Sequence, residues 1–339
     1  MIDARPQVER LLDSPEPAIR LKIRLSVFDA DPSSSEILAL REAVRGSETV
    51  SALLQRDASG TPHFLGDKVY TKWKGPHWIL SALADLGYPP GDEVLRPTVS
   101  RLFDVWLGDQ FQTEFEAGSK AGAYSKQGIP IVNGRHRSHA SQQGNALWTA
   151  HKLGLADERS DQLVERLLHW QWPDGGWNCD KKPEADTSSF MESIFPLRGL
   201  HLHAVATGSN AAALASEQAA EIFLSRRLYR RKGNGNFMRS EFVKLHYPLY
   251  WRYDVLGGLK AMAETGHIDD PRCQDALDLL ASMQLNDGGW PAHVKFYTAR
   301  SEIKLGNDFV DWGGTSKRKA NDWVTADAIS VLAKAGRLN

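Results

Sequence analysis

Apolar residues recur along most of this chain with the 3.6-residue period of α-helices, and the stripes fall into two classes. One class is broad and poor in charge, HWILSALADLGY, NALWTAHKLGL, YDVLGGLKAMAETG and DAISVLAKAGR, with IRLKIRLSVFDA and SIFPLRGLHLHAV in the matching places but less regular. A helix that is apolar over most of its circumference is buried on several sides. The other class has a narrower stripe and a charged face: QVERLLDS, SEILALREAVRGSETVSALLQR, DEVLRPTVSRLFDVWL, SDQLVERLLHW, SEQAAEIFLSRRLYRR and PRCQDALDLLASM. The classes alternate strictly, starting with an amphipathic segment and ending with an apolar one. This pattern predicts an all-α fold, an (α/α)6 barrel of six helical hairpins with the apolar helices inside, as a single domain over residues 1–339. Closure of that toroid is expected to bring the segment near Gln7 to Leu12 beside the segment near Ala328 to Ala335.

Two turns repeat almost verbatim. Gln171–Trp177 reads QWPDGGW and Gln284–Trp290 reads QLNDGGW, each just after an amphipathic segment. The two tryptophans are 113 residues apart, twice a period of about 56, and a sixth of the 339-residue chain is also close to 56. Paired glycines let the chain reverse after a helix, the Gln can bond freed backbone groups, and the Trp can pack against the neighbouring helix. These turns are therefore expected to be structural clamps. Degenerate copies fall near Arg56–Gly60 and Arg231–Gly235.

The Q-x-x-D-G-G-W turns resemble the Q-x-x-x-G-x-W repeat of squalene–hopene cyclases and related class II terpenoid cyclases, whose α/α-barrel architecture protein prenyltransferase β subunits share. The resemblance implies a single-barrel member of that superfamily and hydrophobic substrate chemistry. It does not carry the superfamily's catalytic motifs. The D-x-D-D run of class II cyclases is absent, and Asp269-Asp270 falls in an inner-to-outer turn. The zinc ligands of prenyltransferases are an Asp, a Cys and a His. Cys179, Asp180 and His246 are loosely similar, but the D-x-C order is missing. Cys273, which a lanthipeptide-cyclase-like ligand set would need, belongs to an outer helix. No metal and no cofactor is expected.

The inner-to-outer links, such as GYPPGDE and GHIDDPR, are short, whereas the outer-to-inner links at roughly 110–138, 173–187, 232–246 and 286–320 are long. Long loops in a compact protein tend to carry function, and here they gather where the inner helices begin. Net charge is −1, which argues against a nucleic-acid partner. No apolar run approaches the ~18 residues of a spanning helix, and the opening MIDARPQVERLLDSPEP has no signal-peptide apolar core. Two cysteines cannot make a disulfide framework. A cytoplasmic protein with a small-molecule substrate is expected; oligomeric state is left open.

At the loop end the expected catalytic residues are Asp254, Asp180, His246 and His77. The expected substrate contacts are Trp73, Trp78, Arg135, Gln142, Gln143, Cys179, Glu192, Tyr250, Trp251 and Trp323. The run His246–Asp254 (HYPLYWRYD) is expected to start an inner helix with Pro248 in its first turn. Tyr250 and Asp254, four residues apart, would then share one face, with Asp254 desolvated beside aromatic rings and suited to act as an acid. Aromatic walls with scattered acids fit a largely hydrophobic, cation-forming substrate. The expected function is a terpenoid-cyclase-like, metal-independent isomerase, lyase or hydratase. The alternatives are a non-catalytic small-molecule-binding barrel and a glycan-active α/α-barrel hydrolase or lyase with Asp180 and Asp254 as its acids.

Overall fold

The computed structural model of the protein describes residues 2–56, 62, 63, 68–302 and 304–339. Residues 57–60 of the degenerate turn expected after Arg56 lie outside them. The chain is 51% helix and 6% strand, and the strands are short pieces within the long loops. In chain order the helices are α1 Arg5–Leu12, α2 Pro17–Val27, α3 Ser35–Arg45, α4 Glu48–Leu53, α5 Pro76–Leu86, α6 Arg96–Trp106, α7 Lys120–Ala123, α8 Ala140–Lys152, α9 Arg159–Trp170, α10 Phe190–Thr207, α11 Asn210–Leu224, α12 Val255–Glu264, α13 Gln274–Ser282 and α14 Asp322–Lys334. Each of the twelve periodic segments contains a helix. The segment expected to be continuous from Ser35 breaks after α3, where Gly46 ends the helix and the Ser47 hydroxyl accepts the Val50 N–H (3.2 Å) to start α4.

The chain forms two compact units, residues 1–95 with 226–339, and residues 96–225. In the first, α12, α14, α2 and α5 lie side by side in that order, with α1 against α2 and α14, α3 against α2 and α13 against α12. The first and last helices are thus neighbours. Arg10 bonds both carboxylate oxygens of Asp322 (2.9 and 3.1 Å), and the Ile2 N–H donates to the Arg337 carbonyl (2.9 Å). Each of the four side-by-side helices also gives one charge to a partly buried square. Lys260 bonds Asp85 (3.0 Å) and Asp327 (2.6 Å), Lys22 pairs with the same two acids, and the Tyr247 hydroxyl donates to Asp85 (3.0 Å). Two cations against two anions leave no net charge to solvate.

The second unit is built on α8 against α10, with α6 and α9 against α8 and α11 against α10. Two glycines allow the α8–α10 approach. A Cβ at Gly144 would sit 2.3 Å from the Pro196 nitrogen, and one at Gly199 would sit 2.7 Å from the Gly144 carbonyl oxygen. Between α6 and α8 the loop is ordered by a small sheet. Glu114–Glu116 pairs in parallel with Ile129–Val132, which pairs antiparallel with Arg135–His136. This sheet delivers the chain to the start of α8.

Both Q-x-x-D-G-G-W turns adopt one hydrogen-bonded design. The Gln171 amide donates to the Gly175 carbonyl (2.7 Å) and that of Gln284 to Gly288 (2.9 Å). The Trp177 indole N–H donates to Leu167 (2.9 Å) and that of Trp290 to Leu280 (2.7 Å), in each case a carbonyl ten residues back in the preceding helix, α9 or α13. Their backbone N–H groups donate to Ser193 (3.1 Å) and Thr325 (2.9 Å), in the first turn of the following helix, α10 or α14. Both rings are fully buried. Gly175 and Gly288 hold φ of +98° and +81°, where a side chain would be strained. Each clamp fastens the end of one helix to the start of the next.

Candidate functional sites

The first unit holds Asp254, His246, His77, Trp73, Trp78, Tyr250, Trp251 and Trp323 of the expected site. Its aromatic residues form a layer of two ring clusters. Trp73 stacks on Tyr250 (4.4 Å between centroids, 8° between planes), Trp78 stands edge-on to Trp73 (4.8 Å), and Tyr247 stacks on Trp323 (5.0 Å, 6°). Trp251 is half-buried, with Lys72 and Arg252 over its ring (5.3 and 5.4 Å). His77 is buried against Tyr70 and Trp78, and burial pushes its pKa down to about 3. It is neutral at physiological pH.

The run leading to Asp254 differs from the expectation. The α12 helix starts only at Val255, and residues 246–253 form an irregular segment in which Tyr250 takes a left-handed backbone (φ 44°). The same-face argument for Tyr250 and Asp254 therefore fails, because it requires helical backbone between them. Asp254 is instead the N-cap. One carboxylate oxygen accepts the Gly257 N–H (2.7 Å) and the other the His246 N–H (2.9 Å).

Asp254 and His246 nevertheless meet through their side chains. His246 Nδ1 lies 2.7 Å from Asp254 Oδ2 with both groups buried. The contact is not aligned as a hydrogen bond. The other ring nitrogen, Nε2, has no hydrogen-bond partner among the described residues. The imidazole stands edge-on to Phe296 (5.0 Å, 90°), whose carbonyl accepts the Trp73 indole N–H (3.1 Å). The pair thus abuts the aromatic layer.

Sequence reasoning missed Asp308, in the loop before α14. It is buried and accepts the Tyr250 hydroxyl, the Trp312 indole N–H (3.0 Å) and the Val310 N–H (3.1 Å). Burial raises its pKa despite these donors. The desolvated carboxyl among aromatic rings foreseen at Asp254 is realised here. No periodic signal marks a loop aspartate.

The second unit holds Arg135, Gln142, Gln143, Cys179, Asp180 and Glu192. Asp180 is exposed and accepts the Lys182 N–H (3.1 Å), closing a turn next to Asn178, which accepts the Asp180 N–H (2.9 Å). Arg135 lies over the Trp172 ring (5.6 Å), and buried Arg137 lies closer (4.6 Å) while bonding the Ala185 and Val132 carbonyls. Glu192, in the first turn of α10, accepts the Ser141 N–H (3.1 Å) and lies 3.5 Å from His139 Nδ1. Burial works against its ionisation, but His139 and Ser141 outweigh it and hold the carboxyl below the usual range. Cys179 is near both, its thiol pushed up by burial and by the Glu192 charge. Gln143 donates to the Trp106 carbonyl (3.4 Å), while Oε1 of both glutamines, Glu192 Oε1 and Ser138 Oγ are buried without a hydrogen-bond partner among the described residues. Such a concentration at two adjoining helix starts is uncommon in a folded protein.

Two further clusters in this unit carry no residue from the expected site. Glu114 accepts the Trp170 indole N–H (3.0 Å) and contacts His136 (3.2 Å) and His169 (3.0 Å). An open cleft of about 500 Å³ lies at the opposite ends of α8 and α10, lined by His151, His203 and Asp161. There His151 Nε2 is 3.3 Å from His203 Nδ1, and burial pushes His151 down to about 4.

Compared with known proteins, the chain matches no family model, and no curated protein matches it. No helix among the described residues is long and apolar enough to cross a membrane.

Proposed function

We propose that the protein is an acid–base enzyme of the isomerase, lyase or hydratase type acting on a largely apolar small molecule, on an (α/α)6 toroid of the terpenoid-cyclase kind. The observation that carries this reading is the His246–Asp254 pair, with imidazole Nε2 unspent beside the aromatic layer. In such a pair the carboxylate steadies the imidazolium, and Nε2 moves the proton. Imidazole is a fitting base for a carbon acid next to a carbonyl and a fitting acid for a departing hydroxyl, whereas an unactivated alkene needs a stronger acid. Dehydration, hydration and allylic isomerisation are therefore favoured over cyclase-type alkene protonation. The rings of Trp73, Tyr250 and Phe296 would stabilise positive charge developing on the substrate.

The non-catalytic binding barrel is the second reading, because both Asp254 oxygens already hold backbone N–H groups. The glycan-active alternative has no such support. Asp180 closes an exposed turn, and Asp254 caps a helix. A panel of prenyl alcohols and unsaturated terpenoid ketones incubated in D2O and read by mass spectrometry separates the first two. Water loss or gain, or deuterium uptake, is expected with the wild-type protein, reduced at least about 100-fold in His246→Gln. Ligand-induced stabilisation without any exchange would establish the binding reading instead.

A further inference from the structure

We propose that His139, Cys179 and Glu192 form a binding site for a zinc-class divalent cation at the start of α8 and α10. One ligand atom from each residue lies within 4.8 Å of the other two, and His139 Nδ1 is 3.5 Å from Glu192 Oε1. Donors around a tetrahedral zinc ion, at bond lengths of about 2.0–2.3 Å, stand about 3.3–3.7 Å apart. The His–Glu edge already has that spacing, and the sulfur edges, no longer than 4.8 Å, need to close by about 1.3 Å at most.

Each donor sits on a separate, well-fastened piece of the second unit. His139 is the N-cap residue of α8, and its side chain makes no capping bond. Glu192 belongs to the first turn of α10. Cys179 is two residues past the clamp Trp177, and the Asn178 amide, donating to the Thr187 carbonyl (2.8 Å), steadies its loop. Such preorganisation is what a metal site requires.

The independent sign of a ligand is Glu192 itself. Its side chain is 1% exposed, Oε2 takes the Ser141 N–H, and Oε1, on the His139 side, has no hydrogen-bond partner among the described residues. His139 and Ser141 offset the cost of burying this carboxylate, and an Oε1 with no aligned hydrogen bond is open to a bound cation. The unspent acceptors of Gln142 and Gln143 on the same helix start suit water carried by the ion.

One thiolate, one imidazole and one carboxylate form a donor set for zinc rather than for calcium or magnesium, which prefer oxygen alone. Three protein ligands, one of them a His more than half exposed, leave a fourth position for water or substrate. The set differs from Cys179, Asp180 and His246, the combination to which the sequence resemblance points. Asp180 closes an exposed turn, and His246 lies against Asp254. The Glu114–His136–His169 cluster is the weaker candidate, since its carboxylate is already engaged by an indole and both imidazoles. A cation held here is independent of the proton-transfer role of His246.

The test uses the untagged full chain, stripped with chelator and titrated separately with Zn²⁺ and Co²⁺. The expected result is one equivalent of zinc by elemental analysis and, with cobalt, a thiolate charge-transfer band with the intense visible bands of a tetrahedral site. Cys179→Ser should remove the charge-transfer band and weaken binding at least about 100-fold, and His139→Asn should weaken it at least about 10-fold. His169→Asn should leave stoichiometry and spectrum unchanged. Glu192 is buried and its variants can unfold for other reasons, so the decisive variants are those of half-buried Cys179 and exposed His139, with helical circular dichroism as the folding control. Absence of stoichiometric binding, a cobalt spectrum unchanged by Cys179→Ser, or loss of metal in His169→Asn would each overturn the proposal.

Discussion

The clamp reading is tested most directly by taking Trp290 apart in two steps. Trp290→Ala removes a fully buried indole from between α13 and α14, and replacements of this kind cost about 3–5 kcal/mol through lost burial and the cavity left behind. Trp290→Phe keeps most of the ring and removes the N–H that donates to the Leu280 carbonyl at 2.7 Å. That carbonyl, in the last turn of α13, also accepts the Met283 N–H (3.1 Å), so the variant removes one of its two donors and should cost only about 0.5–1.5 kcal/mol. A stability of about 5–15 kcal/mol makes either change easy to read in a urea titration. Trp177→Ala and Trp177→Phe should repeat the pattern, because the indole there donates to Leu167 in the same way at 2.9 Å. Two chain units argue for fitting fluorescence and circular dichroism separately rather than assuming one transition. A Trp290→Ala midpoint shift worth less than about 1 kcal/mol would refute the clamp. Unchanged stability with altered small-molecule binding would make the ring a ligand contact.

Four other outcomes are expected. Gly199→Ala should cost about 1–3 kcal/mol or more in denaturant titrations, since its Cβ would meet the Gly144 carbonyl oxygen at 2.7 Å. Lys260→Met should cost about 1–3 kcal/mol by leaving Asp327, 4% exposed, short of a cation, and adding Asp327→Leu should return part of the loss; no recovery in the double variant would refute the pairing argument. His77 takes up a proton near pH 6.5 when unfolded but only near pH 3 when folded, so its contribution is complete above pH 6.5 and drains as pH falls, by about 1.4 kcal/mol per pH unit. Stability of His77→Phe, measured from pH 7 to 4.5, should fall less steeply than wild type; equal slopes would mean the folded protein accepts that proton. Asp254→Asn should cost about 1–3 kcal/mol, because its amide NH2 must face either the His246 or the Gly257 N–H, and a variant as stable as wild type would contradict the cap geometry.

The helices were legible because burial writes a period into the sequence. Broad apolar stripes such as HWILSALADLGY became α5 with ten of its eleven residues buried, and the narrower stripe SDQLVERLLHW became α9. The clamps were legible because a glycine pair and a fixed Gln–Trp spacing meet one stereochemical demand twice. Charge was harder to place. Lys22, Asp85, Lys260 and Asp327 come from four different helices, and only packing shows that they complete one square.

Loops lack that redundancy, and residues 246–254 depart from their expected helix for that reason. Pro248 and the following aromatics have the composition of a first helical turn, yet Asp254 is a strong N-cap residue, and a helix begins after its cap. Taking the cap as the start would have moved Tyr250 out of the helix and removed the same-face argument, with the sequence alone in hand. The same logic shows why Asp308 and Glu192 differ as targets for inference. Glu192 precedes an apolar helical run and can be located from it, whereas Asp308 gains its buried place from Tyr250 and Trp312, partners 58 and 4 residues away. A carboxyl acquires unusual chemistry from what surrounds it, and in this protein those surroundings are assembled from loops whose mutual contacts no local pattern encodes.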